Sequence, residues 1–266
     1  MRPALSQRTP APRTTARPAR ARGLSSAAYG IVVLLLASAC GSSAGPGERT
    51  VTVLAAASLT ESFDRISADF EQAHPGVTVQ VSYGSSATLV QQVNQGAPAQ
   101  VIALAGEAAA KPLDQQLVKK SSIFATNVLE IAVPPSNPGK VTTIADLGRP
   151  GLKVVLCAEA VPCGKAADAT FSKAGVTPSV VSREVDVKAT LAKVKLGESD
   201  AAVVYHSDVV GSKGSVTGVP IDATVNTSLR YPIITLSEDP TTAEFVDYVL
   251  SAQGRATLES LGLGTP

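Results

Sequence analysis

Twice between residues 50 and 95 a β-rich run stops at a turn of small residues containing serine, and a helical pattern starts directly behind it. The first run is Val51-Thr52-Val53-Leu54, ending in Ala55-Ala56-Ala57-Ser58, and the second is Val77-Thr78-Val79-Gln80-Val81, ending in Gly84-Ser85-Ser86. A strand that ends at a helix N-terminus presents free backbone N–H groups and the positive end of a helix dipole, to which a serine adds a hydroxyl donor. Two such ends suggest a pocket for a small anion. Each serine also reads as an ordinary helix cap, and Ser58 followed by Glu61 has capping-box spacing. The roles are compatible, because a cap satisfies only some of the orphan donors.

Strand and helix patterns go on alternating, which argues for an α/β fold. Leu59, Phe63, Ile66 and Phe70 recur at helical spacing before His74-Pro75-Gly76 ends the element. Residues 101–104 read as a buried strand, 108–118 as containing a helix, and 127–133 as a strand leaving this first unit. A second unit runs from a strand at 153–156, through helices near 164–173 and 187–196, to a strand at 201–205. A return strand at 230–236 and amphipathic stretches at 243–250 and 254–261 close the chain. The second unit repeats the chemistry of the first. Val161-Pro162-Cys163-Gly164 sits where a strand-to-helix turn exposes N–H groups, and Asp186 reads as an N-cap before Val187. Tyr205 falls at the carboxyl end of a strand, the edge on which α/β sheets place ligands, and reads equally well as a half-buried aromatic at a domain face.

The N-terminal region indicates export. The first 22 residues hold six arginines and no acidic residue, followed by an apolar run at 27–37 that is shorter than the roughly 20 residues of a spanning helix. This reads as a signal peptide over 1–39. Small residues then precede Cys40, with a polar tract behind it; the arrangement resembles a bacterial lipobox, which makes Cys40 the lipidated first residue and 40–49 a flexible tether. Ordinary cleavage near Ala39 or Ala44 is the alternative. Loss of the leader leaves 17 basic against 22 acidic residues, a net charge of about −5. With few aromatics and no basic stripe, nucleic-acid binding is not expected, and an anion must be held by local dipoles.

Setting Cys40 aside, Cys157 and Cys163 form an even pair six positions apart. A disulfide closing a small loop fits an oxidising compartment. A metal site is the weaker reading, since two cysteines without nearby histidines make an incomplete ligand set.

The ordered combination of Ala55-Ala56-Ala57-Ser58-Leu59, Gly84-Ser85-Ser86, Gly96-Ala97-Pro98-Ala99, Val161-Pro162-Cys163-Gly164 and Ala202-Val203-Val204-Tyr205-His206-Ser207-Asp208 resembles the periplasmic molybdate-binding proteins of ABC importers. The similarity spans about residues 50–264. It implies a type II periplasmic-binding-protein fold, two α/β lobes around a central cleft joined by crossover strands, with lobe 1 from 50–127 and 235–266 and lobe 2 from 128–234. It further implies that Ser58 and Ser86 donate hydroxyl and backbone hydrogen bonds to the oxyanion, that Cys163 and Val187 donate backbone N–H groups, and that Tyr205 donates its phenol. Molybdate, and with it tungstate, is then a ligand and no cofactor; molybdenum enters only as the oxyanion, without a direct protein ligand. A membrane permease is the expected partner, on the extracytoplasmic face, and the receptor is expected to be a monomer. The chain departs from the family's pattern at Gln100, where aspartate is usual, and at Cys163, where alanine is common.

A shell of neutral donors suits a fully ionised dianion, which accepts on every oxygen and donates nothing. Other readings stay open at this level: a receptor for sulfate, another oxyanion or iron, an exported serine hydrolase, or a surface antigen without a ligand. A hydrolase needs a base; the chain has only His74 and His206, and no Gly-x-Ser-x-Gly elbow. An enzyme is not expected.

Overall fold

The computed structural model describes residues 49–266; the signal peptide, Cys40 and nearly all of the tether lie outside them. In chain order the elements begin with β1 (Arg49–Ala56), a 3-10 turn (Ala57–Leu59), α1 (Thr60–Ala73), β2 (Val77–Gly84), α2 (Ser86–Asn94), β3 (Val101–Ala103), α3 (Glu107–Ala110) and β4 (Lys120–Val133). After a second 3-10 turn (Ile144–Gly148) come β5 (Val154–Cys157), α4 (Pro162–Ala174), β6 (Val180–Glu184), α5 (Val187–Lys195) and β7 (Ala201–Tyr205). The chain ends with α6 (His206–Gly211), β8 (Thr217–Pro220), β9 (Ser228–Thr235), α7 (Pro240–Leu250) and α8 (Ala252–Ser260). This is the α/β alternation that the sequence indicates.

The strands run in the order β2-β1-β3-β9-β4-β7-β5-β6, with β8 also on β4. β1 lies parallel between β2 and β3, and β5 lies parallel between β6 and β7. These are the buried parallel strands of two βα units, and their carboxyl ends carry the turns described above. β4 joins the two groups. Its first part, Lys120 to Val128, pairs antiparallel with β9, and its last part, Leu129 to Val133, pairs with β7 and β8. β9 in turn bonds β3.

Helix α1 buries Phe63, Ile66 and Phe70, the apolar stripe read from the sequence. Phe63 meets Phe124 of β4 and Phe70 meets Phe245 of α7 edge-on, at 5.8 and 5.3 Å between ring centroids. The C-terminal helices thus close the core beneath the first sheet.

Three local expectations change. The helix expected within 108–118 is only Glu107–Ala110; Lys111 keeps helical backbone angles, but Pro112 has no N–H with which to continue the helical hydrogen bonds. The strand expected at 127–133 is the second half of a strand beginning at Lys120; its polar start, Lys120-Ser121-Ser122, hides the β pattern. Ser58 and Glu61 make no capping box: the N-cap of α1 is Leu59, without a side-chain cap.

Candidate functional site

Each strand-to-helix turn delivers one group to the same place. Ser58 lies in the 3-10 turn that continues β1 into α1, and Ser86 is the first residue of α2. Cys163 is the second residue of α4, behind Pro162 at the first, and Val187 is the first of α5. Tyr205 is the last residue of β7. All five residues are buried, and all five line one small pocket together with Ala56, Ala57 and Asp186. The pocket leaves about 20 Å³ for the centre of a water-sized sphere. First-turn N–H groups have no partner within their own helix, so the ends of α2, α4 and α5 bring donors and positive dipole ends from both sheets to one point.

The capping residues free these donors. Ser85, the N-cap of α2, accepts from the Thr88 N–H at 3.2 Å, and Asp186, the N-cap of α5, accepts from the Ala189 N–H at 2.8 Å. Neither cap engages the first residue of its helix. The Ser86 hydroxyl oxygen accepts the Ala105 N–H at 2.9 Å, which leaves its proton available. Among the described residues the buried Tyr205 hydroxyl has no well-formed hydrogen-bond partner, although the Tyr231 phenol lies beside it. Burial above all, then the neighbouring Tyr231 and Asp208, holds the Tyr205 phenol well above its ordinary pKa, so it stays protonated and able to donate.

Among the described residues no lysine, arginine or histidine lines this pocket. The charge behind it is a triad: Lys188 reaches Glu61 at 2.6 Å and Asp208 at 3.0 Å. His74 bonds the Phe70 carbonyl at 2.8 Å through Nδ1, and His206 meets Glu130 at 2.7 Å, so neither histidine partners a pocket serine. Nor do the described residues contain a cluster of three or more histidine, cysteine, aspartate or glutamate side chains able to hold a metal ion.

The α4 turn has a further support. Cys157 at the end of β5 and Cys163 are joined as a disulfide, and a side chain at Gly164 would strike the Ala158 carbonyl. Loop and helix start are therefore pressed together. A larger groove of about 750 Å³ lies beside the pocket, bordered by Gln91, Glu107, Lys165 and Arg230.

Several residues around the site did not stand out in the sequence. Ser58 Oγ lies 3.2 Å from the Tyr231 hydroxyl, and Asn127 Nδ2 donates to Tyr231 at 3.4 Å and to Ser207 Oγ at 2.8 Å. Asn127 is the one amide in the run Phe124 to Leu129, and a buried polar residue in such a strand is the signal that could have flagged it. For Tyr231 and Lys188 no sequence signal points to the pocket.

The family model for bacterial extracellular solute-binding proteins matches residues 51–264. The molybdate-binding protein ModA of Mycobacterium tuberculosis is 35% identical over 257 residues, covering 92% of this chain and 98% of that protein. The molybdate-binding protein ModA of Escherichia coli is 30% identical over 233 residues, covering 81% of this chain and 89% of its own length. Among solved structures, the Azotobacter vinelandii periplasmic molybdate-binding protein superposes with a TM-score of 0.71 at 19% identity, covering 81% of this chain and 99% of that one; at that identity the likeness is one of fold.

Proposed function

The chain belongs to the bacterial extracellular solute-binding protein family, and from that premise we propose that it is a receptor that captures molybdate, and tungstate with it, for delivery to an ABC transporter permease. The observation that carries this reading is the convergence of Ser58, Ser86, Cys163, Val187 and Tyr205 on one pocket that, among the described residues, no cationic side chain lines. Such a set supplies donors only, as an acceptor-only dianion requires. The one carboxylate at the pocket wall among the described residues, Asp186, is held by the Ala189 N–H through Oδ1. The names of the mycobacterial and enterobacterial relatives support molybdate as the ligand.

In this reading the two lobes are 50–127 with 235–266 and 128–234, with β4 and β9 crossing between them, and the ligand is held where they meet. The chain is exported, carried on the extracytoplasmic face by a lipid on Cys40, and works as a monomer without catalysis. A serine hydrolase is disfavoured because, among the described residues, none of Ser58, Ser85 and Ser86 has a histidine partner. Isothermal titration of the mature protein with molybdate, tungstate, sulfate and phosphate tests the proposal. Tight molybdate and tungstate binding that falls only modestly between low and high sodium chloride is expected, since enclosed dipoles are screened weakly. Failure to bind molybdate, or a preference for sulfate, would overturn it.

A further inference from the structure

Ser58 belongs to a closed ring of buried polar groups that spans β4, β9, α6 and the turn after β1. Asn127 Oδ1 accepts the Val128 N–H at 3.0 Å, which sets the amide so that Nδ2 faces Tyr231 and Ser207. An amide nitrogen only donates. The Tyr231 oxygen therefore accepts from Asn127, and among the described residues the other well-formed contact of that hydroxyl is Ser58 Oγ at 3.2 Å, with the Tyr205 phenol as a further neighbour. The Ser207 hydroxyl meanwhile donates to the Ser58 carbonyl at 3.4 Å, so Ser207 gives its proton to the backbone and none to the Ser58 side chain.

We propose that Asn127 and Tyr231 are positioning residues that set the direction of the Ser58 hydroxyl: Asn127 donates to Tyr231, Tyr231 donates to Ser58, and the Ser58 proton is left with no acceptor except an anion in the pocket. This deepens the oxyanion reading and rests on it. The consequence is specificity. An oxygen of a fully ionised dianion completes the chain. A protonated oxygen facing Ser58 would meet a proton already directed at it, or force the Ser58 proton into a buried position without a partner, which costs as an unmade hydrogen bond does. Ser86 also accepts a backbone N–H, from Ala105, which occupies one lone pair and leaves its proton free to donate; the rejection of a protonated oxygen is assigned to Ser58, and Asn127 is the origin of its direction.

Reversing the chain tests this. In Asn127→Asp the carboxylate accepts the Tyr231 proton, Tyr231 accepts from Ser58, and Ser58 turns a lone pair to the pocket. Titration in mildly alkaline buffer compares molybdate with hydrogen phosphate, which has the same double charge and one proton. The preference for molybdate is expected to fall at least tenfold in Asn127→Asp. In the Ser58→Ala background the same substitution is expected to move the preference less than twofold, because the added charge repels both dianions alike. Tyr231→Phe provides a second readout: molybdate affinity falls about threefold or more when Ser58 is present and is unchanged when it is alanine, a non-additive cycle. An unchanged preference in Asn127→Asp, or equal changes with and without Ser58, would overturn the proposal. A wild-type protein that binds no molybdate would instead overturn the functional reading beneath it.

Discussion

Lys188 and Glu61, 127 positions apart in the chain, are joined through both carboxylate oxygens at 2.8 and 2.6 Å. The first sits on α5 beside Val187 and the second on α1 just behind Ser58, so the pair ties the helix packed on one sheet to the helix packed on the other. The ammonium has a second partner in the fully buried Asp208, whose other oxygen takes the Tyr205 N–H at 3.1 Å. Burial pulls the Lys188 pKa down, but Asp208 and Glu61 together raise it above the ordinary value. Lys188 is therefore charged at neutral pH.

The two partners of Lys188 predict unequal losses. Lys188→Met leaves Asp208 buried without its cation, and breaking a buried pair in this way costs about 3–5 kcal/mol. Glu61→Gln leaves Lys188 with Asp208 and removes only a partly exposed partner, so about 1 kcal/mol or less is expected. Urea unfolding of the two variants decides it; equal losses would mean that Asp208 does not depend on Lys188.

Serine substitutions at the pocket should separate binding from stability. On the proposed reading, Ser58→Ala and Ser86→Ala each remove a donor to a desolvated anion, worth roughly 1.5–3 kcal/mol, so molybdate affinity should drop about tenfold or more. Ser86→Ala also strands the Ala105 N–H and should lower stability by about 1–3 kcal/mol. Tyr205→Phe should weaken binding from the other side of the pocket. Titration calorimetry paired with thermal melts reads both effects, and normal affinity in both serine variants would remove them from the site.

Cys157 and Cys163 should be recovered bonded from an oxidising compartment. Closing so short a loop removes little unfolded-chain entropy, and about 2 kcal/mol of stabilisation is expected. Because the loop presses on the first turn of α4, reduction should also weaken molybdate binding several-fold. Mass spectrometry of non-reduced, alkylated protein, with titrations before and after reduction, checks both parts; two alkylated thiols at these positions would sink the first.

Acid stability has a separate source, outside the lining of the pocket. The Asp146 carboxylate receives the backbone N–H groups of Thr142 and Thr143 and then their hydroxyls, which together pull its pKa to about 2. A carboxylate depressed in the folded state stabilises above its unfolded value and loses that contribution as pH falls through the folded one. Melting temperature should therefore decline between about pH 4 and pH 2 by a larger margin in the wild type than in Asp146→Asn. Parallel declines would exclude this carboxylate as a contributor.

The pocket was legible where its contacts are local. Ser58, Ser86, Cys163, Val187 and Tyr205 each sit at a strand or helix boundary, and boundaries are set by neighbours a few residues away. What surrounds them was not legible for the same reason. Tyr231 reaches Ser58 across 173 positions, and only the pairing of β9 with β4 brings it there. The short α3 shows the opposite failure: residues 108–118 were read as containing a helix, and it stops at Ala110, ahead of Pro112, which lacks the N–H to extend it.

The path of β4 also sets an order of assembly. Strands β5 to β8 and the part of β4 they need lie within residues 120–220, a continuous stretch. The first sheet instead has to wait for β9, because β3 finds its second neighbour only at residues Ile233 to Thr235, and α7 and α8 cover its core later still. A chain emerging from the export channel N-terminus first therefore carries β1, β2 and β3 for most of its passage with the β3 edge bare. The half that holds Ser58 and Ser86 is begun first and finished last, and until then it depends on whatever keeps nascent chains from pairing with one another.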